Sequence, residues 1–404
     1  MPAFTNLAGR WDTVGDMKAL LLATAAVLAG SAAYADDISP WTANFDNLSV
    51  SAGGSAYGAL FTRDTPATTS QRWATGAADL NLKIQRDYDS GLALSLKSSF
   101  EVLRDRLSYD NYGGKLVQKV YGVAQTGLGN VEIGMTDGAG YVLAVIGPTV
   151  DDVTSIDNPN ETYFIDPTTG RSFQEIFGLS TAVNASSNYA KISYYTPRLF
   201  GVQIGVSYTP GENREVVPFL NNGPHAANRQ KNIWETAVSY SQDFEDFALG
   251  FYGAASFGHG DGKGPSDAGL TDWGIGSELD VPVTDEIKFA IGGGYRHNNS
   301  FAFDLYSVST GAGTESAHLS TAITWNAWTL GGEYGRGTAD AGNGGAVIGT
   351  KAYEVALSRS ITGNISATVG WQQLDYDQKG GGVFYNGAPA ISMSALFLNL
   401  KLKV

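Results

Sequence analysis

Six carboxylates and one guanidinium lie between Gly138 and Ser186, in a stretch with no regular alternation of polar and apolar residues. A loop this long is uncommon unless it is functional or disordered. Carboxylates at this density attract cations, and carboxylate oxygens are ligands that Ca²⁺ prefers. The charged residues are Asp151, Asp152, Asp157, Glu161, Asp166, Arg171 and Glu175. A solvated external loop is the simpler alternative, since runs of charge usually face water.

Four lysines fall on the polar positions of strand-like segments, where they could stand opposite this acidic loop. They are Lys83, Lys97, Lys119 and Lys191. A negative loop facing a positive wall creates an electric field that orders polar solutes and sets a preference among ions. We therefore expect the lysines and the charged loop residues to form a constriction. Several glutamates project the same way by parity: Glu101, Glu132, Glu235, Glu278, Glu333 and Glu354.

The sequence offers little for catalysis. No nucleophile elbow, phosphate-binding loop or zinc-ligand spacing is present. We therefore predict a protein that is not an enzyme and needs no cofactor, with Ca²⁺ in the acidic loop as the alternative. No basic stripe indicates a nucleic-acid partner. The histidines are His225, His259, His297 and His318.

The segments that carry the lysines alternate apolar and polar side chains with the two-residue period of a β-strand. In the last segment, Leu396, Leu398 and Leu400 fall on one face, and Asn399 and Lys401 fall on the other. This alternation recurs along most of the chain. We predict sixteen strands, at 48–62, 73–86, 92–104, 115–126, 130–136, 186–197, 201–209, 231–243, 246–257, 269–280, 286–297, 314–325, 327–336, 349–361, 363–374 and 389–404.

Short turns and long polar loops alternate between these strands, as in bacterial outer-membrane barrels. Aromatic residues gather near the strand ends on the apolar face, which is typical of the two membrane interfaces. The absence of cysteine argues against a small exported fold held by disulfides. The chain is therefore predicted to be all-β, a transmembrane antiparallel β-barrel of about sixteen strands with a long loop that folds inward.

An export signal precedes the strands. A charged start at Met17-Lys18 leads into an apolar run and a small-residue site ending at Ala35, the arrangement of a cleaved signal peptide. Beyond Ala35 no apolar run reaches the ~20 residues of a membrane-spanning helix. We predict an upstream start-site artefact at 1–16, a signal peptide at 17–35 and a barrel at 36–404, with a constriction loop at about 138–186.

The predicted strand number indicates transport. A barrel of about sixteen strands encloses an aqueous channel, whereas about eight strands leave room only for side chains. We therefore expect passive diffusion of small hydrophilic solutes and ions across a bacterial outer membrane. The net charge of −14 predicts a mild preference for cations, because a negative field raises their local concentration.

Two hairpins resemble those of the Gram-negative general porins. The segment 184–208, NASSNYAKISYYTPRLFGVQIGVSY, is similar to the hairpin that follows the constriction loop in that family. The segment 120–134, which ends GNVEIG, is similar to the hairpin that enters the loop. The resemblance implies a trimeric diffusion channel, set in the lipid and lipopolysaccharide of the outer membrane, whose third external loop folds into the lumen.

The first predicted strand differs from the others because its outward residues are small. Such a face permits close contact with another protein surface, and with the family resemblance it predicts a homotrimer. Two alternatives remain open for the function, namely a solute-selective porin and a surface adhesin or other binding barrel. The small outward residues are Val50, Ala52, Gly54, Ala56 and Gly58.

Overall fold

The computed structural model describes residues 40–64, 74–104, 117–151, 153–157, 179–211, 230–260, 269–299, 313–340, 347–379 and 390–403. These ranges contain seventeen strands and one short helix, α1 (Ala139–Val142). No helix within them is long and apolar enough to span a membrane. The strands are β1 (Trp41–Phe45), β2 (Leu48–Asp64), β3 (Ala74–Asp87), β4 (Ala93–Arg104), β5 (Val117–Thr126), β6 (Gly129–Met135), β7 (Ala190–Tyr195), β8 (Val202–Gly211), β9 (Gln230–Asp243), β10 (Ala248–Gly260), β11 (Leu270–Pro282), β12 (Ile287–Asn298), β13 (Thr314–Trp325), β14 (Trp328–Asp340), β15 (Val347–Ser360), β16 (Ile365–Lys379) and β17 (Ala390–Lys403).

Strands β2 to β17 form one closed antiparallel barrel. Each strand pairs with the next, and β17 returns to pair with β2, for example through Leu398 opposite Leu60. The predicted antiparallel barrel of sixteen strands is therefore confirmed. Closure leaves no unpaired strand edge, which is what the hydrocarbon of a bilayer demands of a spanning sheet.

Strand β1 is the element that the sequence analysis missed. It pairs with the beginning of β2, from Trp41 opposite Ala52 to Phe45 opposite Leu48. Because β17 ends opposite Ser55, β1 continues the line of β17 along the same edge of β2. Its five residues are too few for a two-residue period to stand out.

The two faces of the barrel wall differ in the way that parity predicts. On β8, Val202 and Ile204 are 40% and 43% exposed, whereas Ser207 and Thr209 are 1% and 0% exposed. Exposed apolar residues and buried polar residues are the reverse of a soluble protein and are typical of a wall between lipid and a polar interior. The face that carries Ser207 and Thr209 is called the inner face below.

The turn between β7 and β8 is tight. Leu199 bridges Val202, and the two residues between them, Phe200 and Gly201, have φ angles of 50° and 81°. Positive φ at both positions is the type I′ conformation, whose twist matches that of an antiparallel hairpin. Turns of this length fix the strand register, so inner-face positions on neighbouring strands are set firmly against each other.

Candidate functional site

The described residues of the long loop between β6 and β7 contact the inner face of the barrel. They form an outgoing leg (136–151 and 153–157) and a returning leg (179–189). At the base of the loop, hydrogen bonds join these legs to side chains of β5, β6 and β7. Beyond the base, hydrogen bonds join them to side chains of β8, β9, β10, β13, β14, β15, β16 and β17. The legs therefore lie against the arc of wall from β8 to β17, called the loop-bearing half below.

The outgoing leg starts with α1, which packs tightly on the wall. The backbone N–H of Ala139 donates to Ser207 Oγ over 2.8 Å. Leu143 and Val183 are buried together with Tyr252 of β10, and the N–H of Val183 donates to the Tyr252 hydroxyl over 2.9 Å. Apolar packing and satisfied backbone groups thus hold both legs at this end of the loop.

Glu235 on β9 anchors the end of the returning leg. Its carboxylate accepts hydrogen bonds from Ser186 Oγ over 2.6 Å and from the Ser186 N–H over 3.3 Å. A Cβ at residue 138 would overlap this carboxylate, so the position requires Gly138. Glu235 therefore explains why residue 138, at the start of the loop, is glycine, and it binds Ser186 at the end of the loop.

Glu333 on β14 holds the far end of the outgoing leg. Its Oε2 accepts from Ser155 Oγ over 2.8 Å and from the Ile156 N–H over 3.1 Å. The same oxygen is 3.3 Å from His318 Nε2, and His318 Nδ1 is 3.3 Å from the carbonyl oxygen of Ile146. Both ring nitrogens face acceptors, so a doubly protonated His318 satisfies both contacts.

Glu354 on β15 provides the next anchor. Thr154 Oγ1 donates to Glu354 Oε1 over 3.3 Å. Gln372 on β16 donates from Nε2 to the Thr154 carbonyl over 3.0 Å and to Glu354 Oε2 over 3.1 Å. The exposed fractions of Glu235, Glu333 and Glu354 are 1%, 5% and 2%. Buried carboxylates are tolerated when donors surround them, and here the loop supplies donors to all three.

Asp151 and Asp157 are buried between the loop and the wall. Asn399 Nδ2 on β17 donates to Asp151. Asp157 accepts from the Thr181 N–H over 2.7 Å and from Thr181 Oγ1 over 3.0 Å, which ties the two legs together. Burial raises the pKa of Asp157 to about 6, although the Thr181 hydrogen bonds and the charge of His318 act in the opposite direction.

This burial corrects one expectation of the sequence analysis. Asp151 and Asp157 were expected to face the lysines across the lumen. The two residues are instead only 7% and 6% exposed, and their carboxylates accept hydrogen bonds from Asn399 and Thr181. Backbone and amide donors close to each carboxylate outcompete a distant lysine. The remaining charged loop residues lie outside the described ranges: Asp152, Glu161, Asp166, Arg171 and Glu175.

Lys83 and Lys97 lie side by side on the other arc of the inner face. They are directly paired across β3 and β4, and Lys97 Nζ is 5.7 Å from the centre of the Tyr121 ring on β5. With Ser51 and Lys119 they line a cavity of about 370 Å³. In the described ranges neither Lys83 nor Lys97 forms an ion pair. Strands β2 to β5 are called the free half below.

The other two predicted lysines are neutralised or enclosed. Lys119 forms an ion pair with Asp137 at the start of the loop. Lys191 is 4% exposed and donates to the carbonyl oxygens of Thr136 and Ser187. Within the described part of the chain, Lys83 and Lys97 border the cavity without an ion pair, and the charge of Lys97 acts on Glu132 of β6. Lys191 fastens the base of the loop.

The described part of the chain offers no metal site. No three histidine or carboxylate side chains within it are arranged to hold an ion. Most of the acidic loop residues that could bind Ca²⁺ lie outside that part, so the Ca²⁺ alternative stays a prediction. Parity did place Glu235, Glu333 and Glu354 on the inner face, but no sequence signal marked them as loop anchors, because their partners are 49 to 200 residues away.

Comparison with known proteins identifies relatives of this architecture. A family model described as Gram-negative porin matches residues 22–379. The trimer form of OmpT, an outer-membrane protein of Vibrio cholerae, is 13% identical, with 89% of this chain and 100% of that chain covered and a TM-score of 0.53. The anion-selective porin from Comamonas acidovorans is 12% identical, with 88% and 100% covered and a TM-score of 0.53.

OmpF of Salmonella typhi, solved in complex with daunomycin, is 11% identical, with 90% of this chain and 100% of that chain covered and a TM-score of 0.53. No curated protein matches the sequence. Identities this low show a shared fold, whereas the family match extends over most of the chain. The chain belongs to the Gram-negative porin family.

Proposed function

We propose that this outer-membrane porin forms a water-filled channel through which small hydrophilic solutes and ions diffuse passively, with no chemical turnover. The observation that carries the proposal is the free half of the inner face. There Lys83 and Lys97 border a cavity of about 370 Å³, in a barrel of sixteen strands, which is wide enough for an aqueous interior. Charged side chains within a membrane-spanning segment almost always face a water-filled cavity or pair with another polar group.

The passage runs between the long loop and the free half of the wall. The two legs of the loop are hydrogen-bonded to the loop-bearing half, which leaves Lys83 and Lys97 on the opposite side. The loop therefore narrows the lumen, and the channel discriminates solutes by size at this level. The lysines give one side of the passage a positive charge.

Selectivity among ions follows from two opposed fields. The net charge of −14 favours cations throughout the barrel and its loops. Lys83 and Lys97 oppose that field locally, since charges act over roughly 10 Å at 0.1 M salt. The proposed result is a mild cation preference that the two lysines reduce.

The proposed assembly is a homotrimer in the lipid and lipopolysaccharide of the outer membrane, exported by the signal peptide at 17–35. The outward positions Ala52, Gly54 and Ala56 lie on β2, beside the outward Leu400 and Leu402 of β17. Small residues let another surface approach closely, and the trimer form of OmpT offers a precedent on a similar fold.

Planar-bilayer recording of the purified mature protein tests this function. We expect stepwise current increases, in groups of three for a trimer, and a reversal potential of cationic sign in a salt gradient. A barrel that is folded by circular dichroism but conducts no ions would contradict the proposal and favour a plugged, adhesive barrel. Heat-denatured protein is the control for detergent artefacts.

A further inference from the structure

Eight glycines occupy inner-face positions of the loop-bearing half where backbone or side-chain atoms of the loop come close. Each of them would place a Cβ within about 3.1 Å of a loop atom. They lie on β8, β10, β11, β12 and β14. The loop-facing glycines are Gly205, Gly250, Gly274, Gly276, Gly292, Gly294, Gly331 and Gly335.

The contacts at three of these glycines show how close the loop lies. A Cβ at Gly276 would overlap the carbonyl oxygen of Val145. A Cβ at Gly294 would lie 2.7 Å from Thr181 Oγ1, and one at Gly250 would lie 3.0 Å from a methyl carbon of Val145. Real Cβ atoms essentially never approach below 3.0 Å, so the observed position of the loop requires glycine at the first two sites.

The free half is built differently. In the described range of β2, Gly53 lies on the inner face and borders the cavity. In their described ranges β3, β4 and β5 turn their two glycines, Gly76 and Gly122, to the lipid side. Their inner face carries the long side chains Lys83, Lys97 and Tyr121 instead. Eight inner-face glycines therefore lie against the loop, and one lies in the described part of the free half. A general enrichment of glycine in strands would not produce this difference.

We propose that the loop-facing glycines are positioning residues of the channel: they set how closely the loop lies to the wall, and thereby the width of the passage. The predicted effect on channel width rests on the proposed function, whereas the predicted effect on the position of the loop does not. The obstacle at Gly276 is a backbone oxygen, which cannot rotate away as a side chain can. An added methyl group there pushes the loop off its wall and toward Lys83 and Lys97.

Gly276→Ala is the direct test, and Gly253→Ala, on the lipid side of the neighbouring strand, is its control. Gly253 lies on β10 with its nearest contact at 3.9 Å, so a methyl group there meets only ordinary packing. We expect Gly276→Ala to lower the single-channel conductance and the size limit for sugars in a liposome-swelling assay, with Gly253→Ala unchanged. Conductance and size limit equal to those of the wild type, in a folded Gly276→Ala barrel, would overturn the proposal.

A compensating pair distinguishes loop position from general damage, and it serves if Gly276→Ala fails to fold. The loop atoms nearest to a Cβ at Gly250 belong to the side chain of Val145. Gly250→Ala should therefore lower conductance slightly, and the double variant Gly250→Ala with Val145→Ala should recover it. Loss without recovery in the double variant would contradict the proposal.

Hydrogen–deuterium exchange of the loop amides measures how firmly the loop is held against the wall, and it does not depend on transport. We expect faster exchange at 139–147 in Gly276→Ala than in Gly253→Ala. If the wild type conducts no ions but this exchange difference is present, the proposed channel fails and the role of the glycines stands. If the wild type conducts and the exchange is unchanged, the glycine inference fails and the channel stands.

Discussion

The loop-bearing half and the free half of the wall show the same strand geometry and opposite use of charge. On the loop-bearing half, Glu235, Glu333 and Glu354 are buried and accept hydrogen bonds from the loop. On the free half, Lys83 and Lys97 border an open cavity. Among these five residues, the charges that the loop contacts are buried, and the charges that it does not contact border the cavity.

The difference has an energetic cause. A buried carboxylate costs several kcal/mol unless donors replace its water, and the loop supplies those donors as Ser155, Ile156, Thr154 and Ser186. The exchange is mutual, since the backbone groups of a loop pressed against a wall also need partners. Carboxylates and loop therefore stabilise each other, whereas Lys83 and Lys97 border an open cavity.

The largest effect is expected from removing a loop anchor. Glu333→Ala leaves Ser155 Oγ, the Ile156 N–H and His318 without their acceptor, at a cost of about 1–3 kcal/mol for each unsatisfied buried group. The far end of the loop should detach, so the mean conductance and the current noise should rise in bilayer recordings.

Glu278→Ala is the matched control, because Glu278 is an inner-face glutamate on β11 with no described hydrogen bond to the loop. Equal recordings from Glu333→Ala and Glu278→Ala would show that the buried carboxylate does not hold the loop. Glu333→Gln, which keeps one acceptor oxygen, should lie between the wild type and Glu333→Ala.

A smaller effect is expected on the free half. Neutralising Lys83 and Lys97 to Met removes two charges from the passage, and one unit charge acts on an ion 4 Å away with about 1 kcal/mol in water. The permeability of each ion species should change by up to about fivefold per charge, upward for cations and downward for anions. The cation-to-anion permeability ratio should therefore rise, as measured by the reversal potential in a salt gradient. Lys119→Met should change the permeability ratio less, because Asp137 already balances the charge of Lys119. An unchanged reversal potential in the double variant of Lys83 and Lys97 would contradict their proposed role in ion selectivity.

A last effect is a dependence of loop stability on pH. The pKa of Asp157 is about 6 in the folded protein, raised by burial from an ordinary value of 3.8. A raised folded pKa favours the protonated form, so the stabilisation is complete below about pH 4 and is lost as the pH rises through 6. A shift of about two pKa units corresponds to roughly 1–3 kcal/mol of stability.

Hydrogen–deuterium exchange of the loop amides, compared at pH 4.5 and pH 7 after correction for intrinsic rates, measures this dependence. We expect faster opening at pH 7 in the wild type. Asp157→Asn, which cannot ionise, should show a smaller difference between the two conditions. A pH dependence that Asp157→Asn leaves intact would assign the effect to another group.

Sequence alone predicted the strands and the parity of their faces. The period of two residues is a local signal, and it correctly placed Lys83, Lys97 and Glu333 on the inner face. It did not reveal which of these residues the loop covers, because the contacts join positions far apart, such as Thr154 with Glu354 and Asp151 with Asn399. The path of a loop across a wall is not encoded in any local pattern.

Cysteine accessibility tests the division of the wall most directly, since the chain has no cysteine of its own. Ser51 lines the cavity on the free half, whereas Ser320 is an inner-face serine of the loop-bearing half that is 1% exposed. Replacing either serine by cysteine is nearly isosteric. A charged, membrane-impermeant methanethiosulfonate should change the bilayer current of Ser51→Cys and leave Ser320→Cys unaffected. Equal modification of both variants, or modification of Ser320→Cys alone, would contradict a wall that is covered on one half and open on the other.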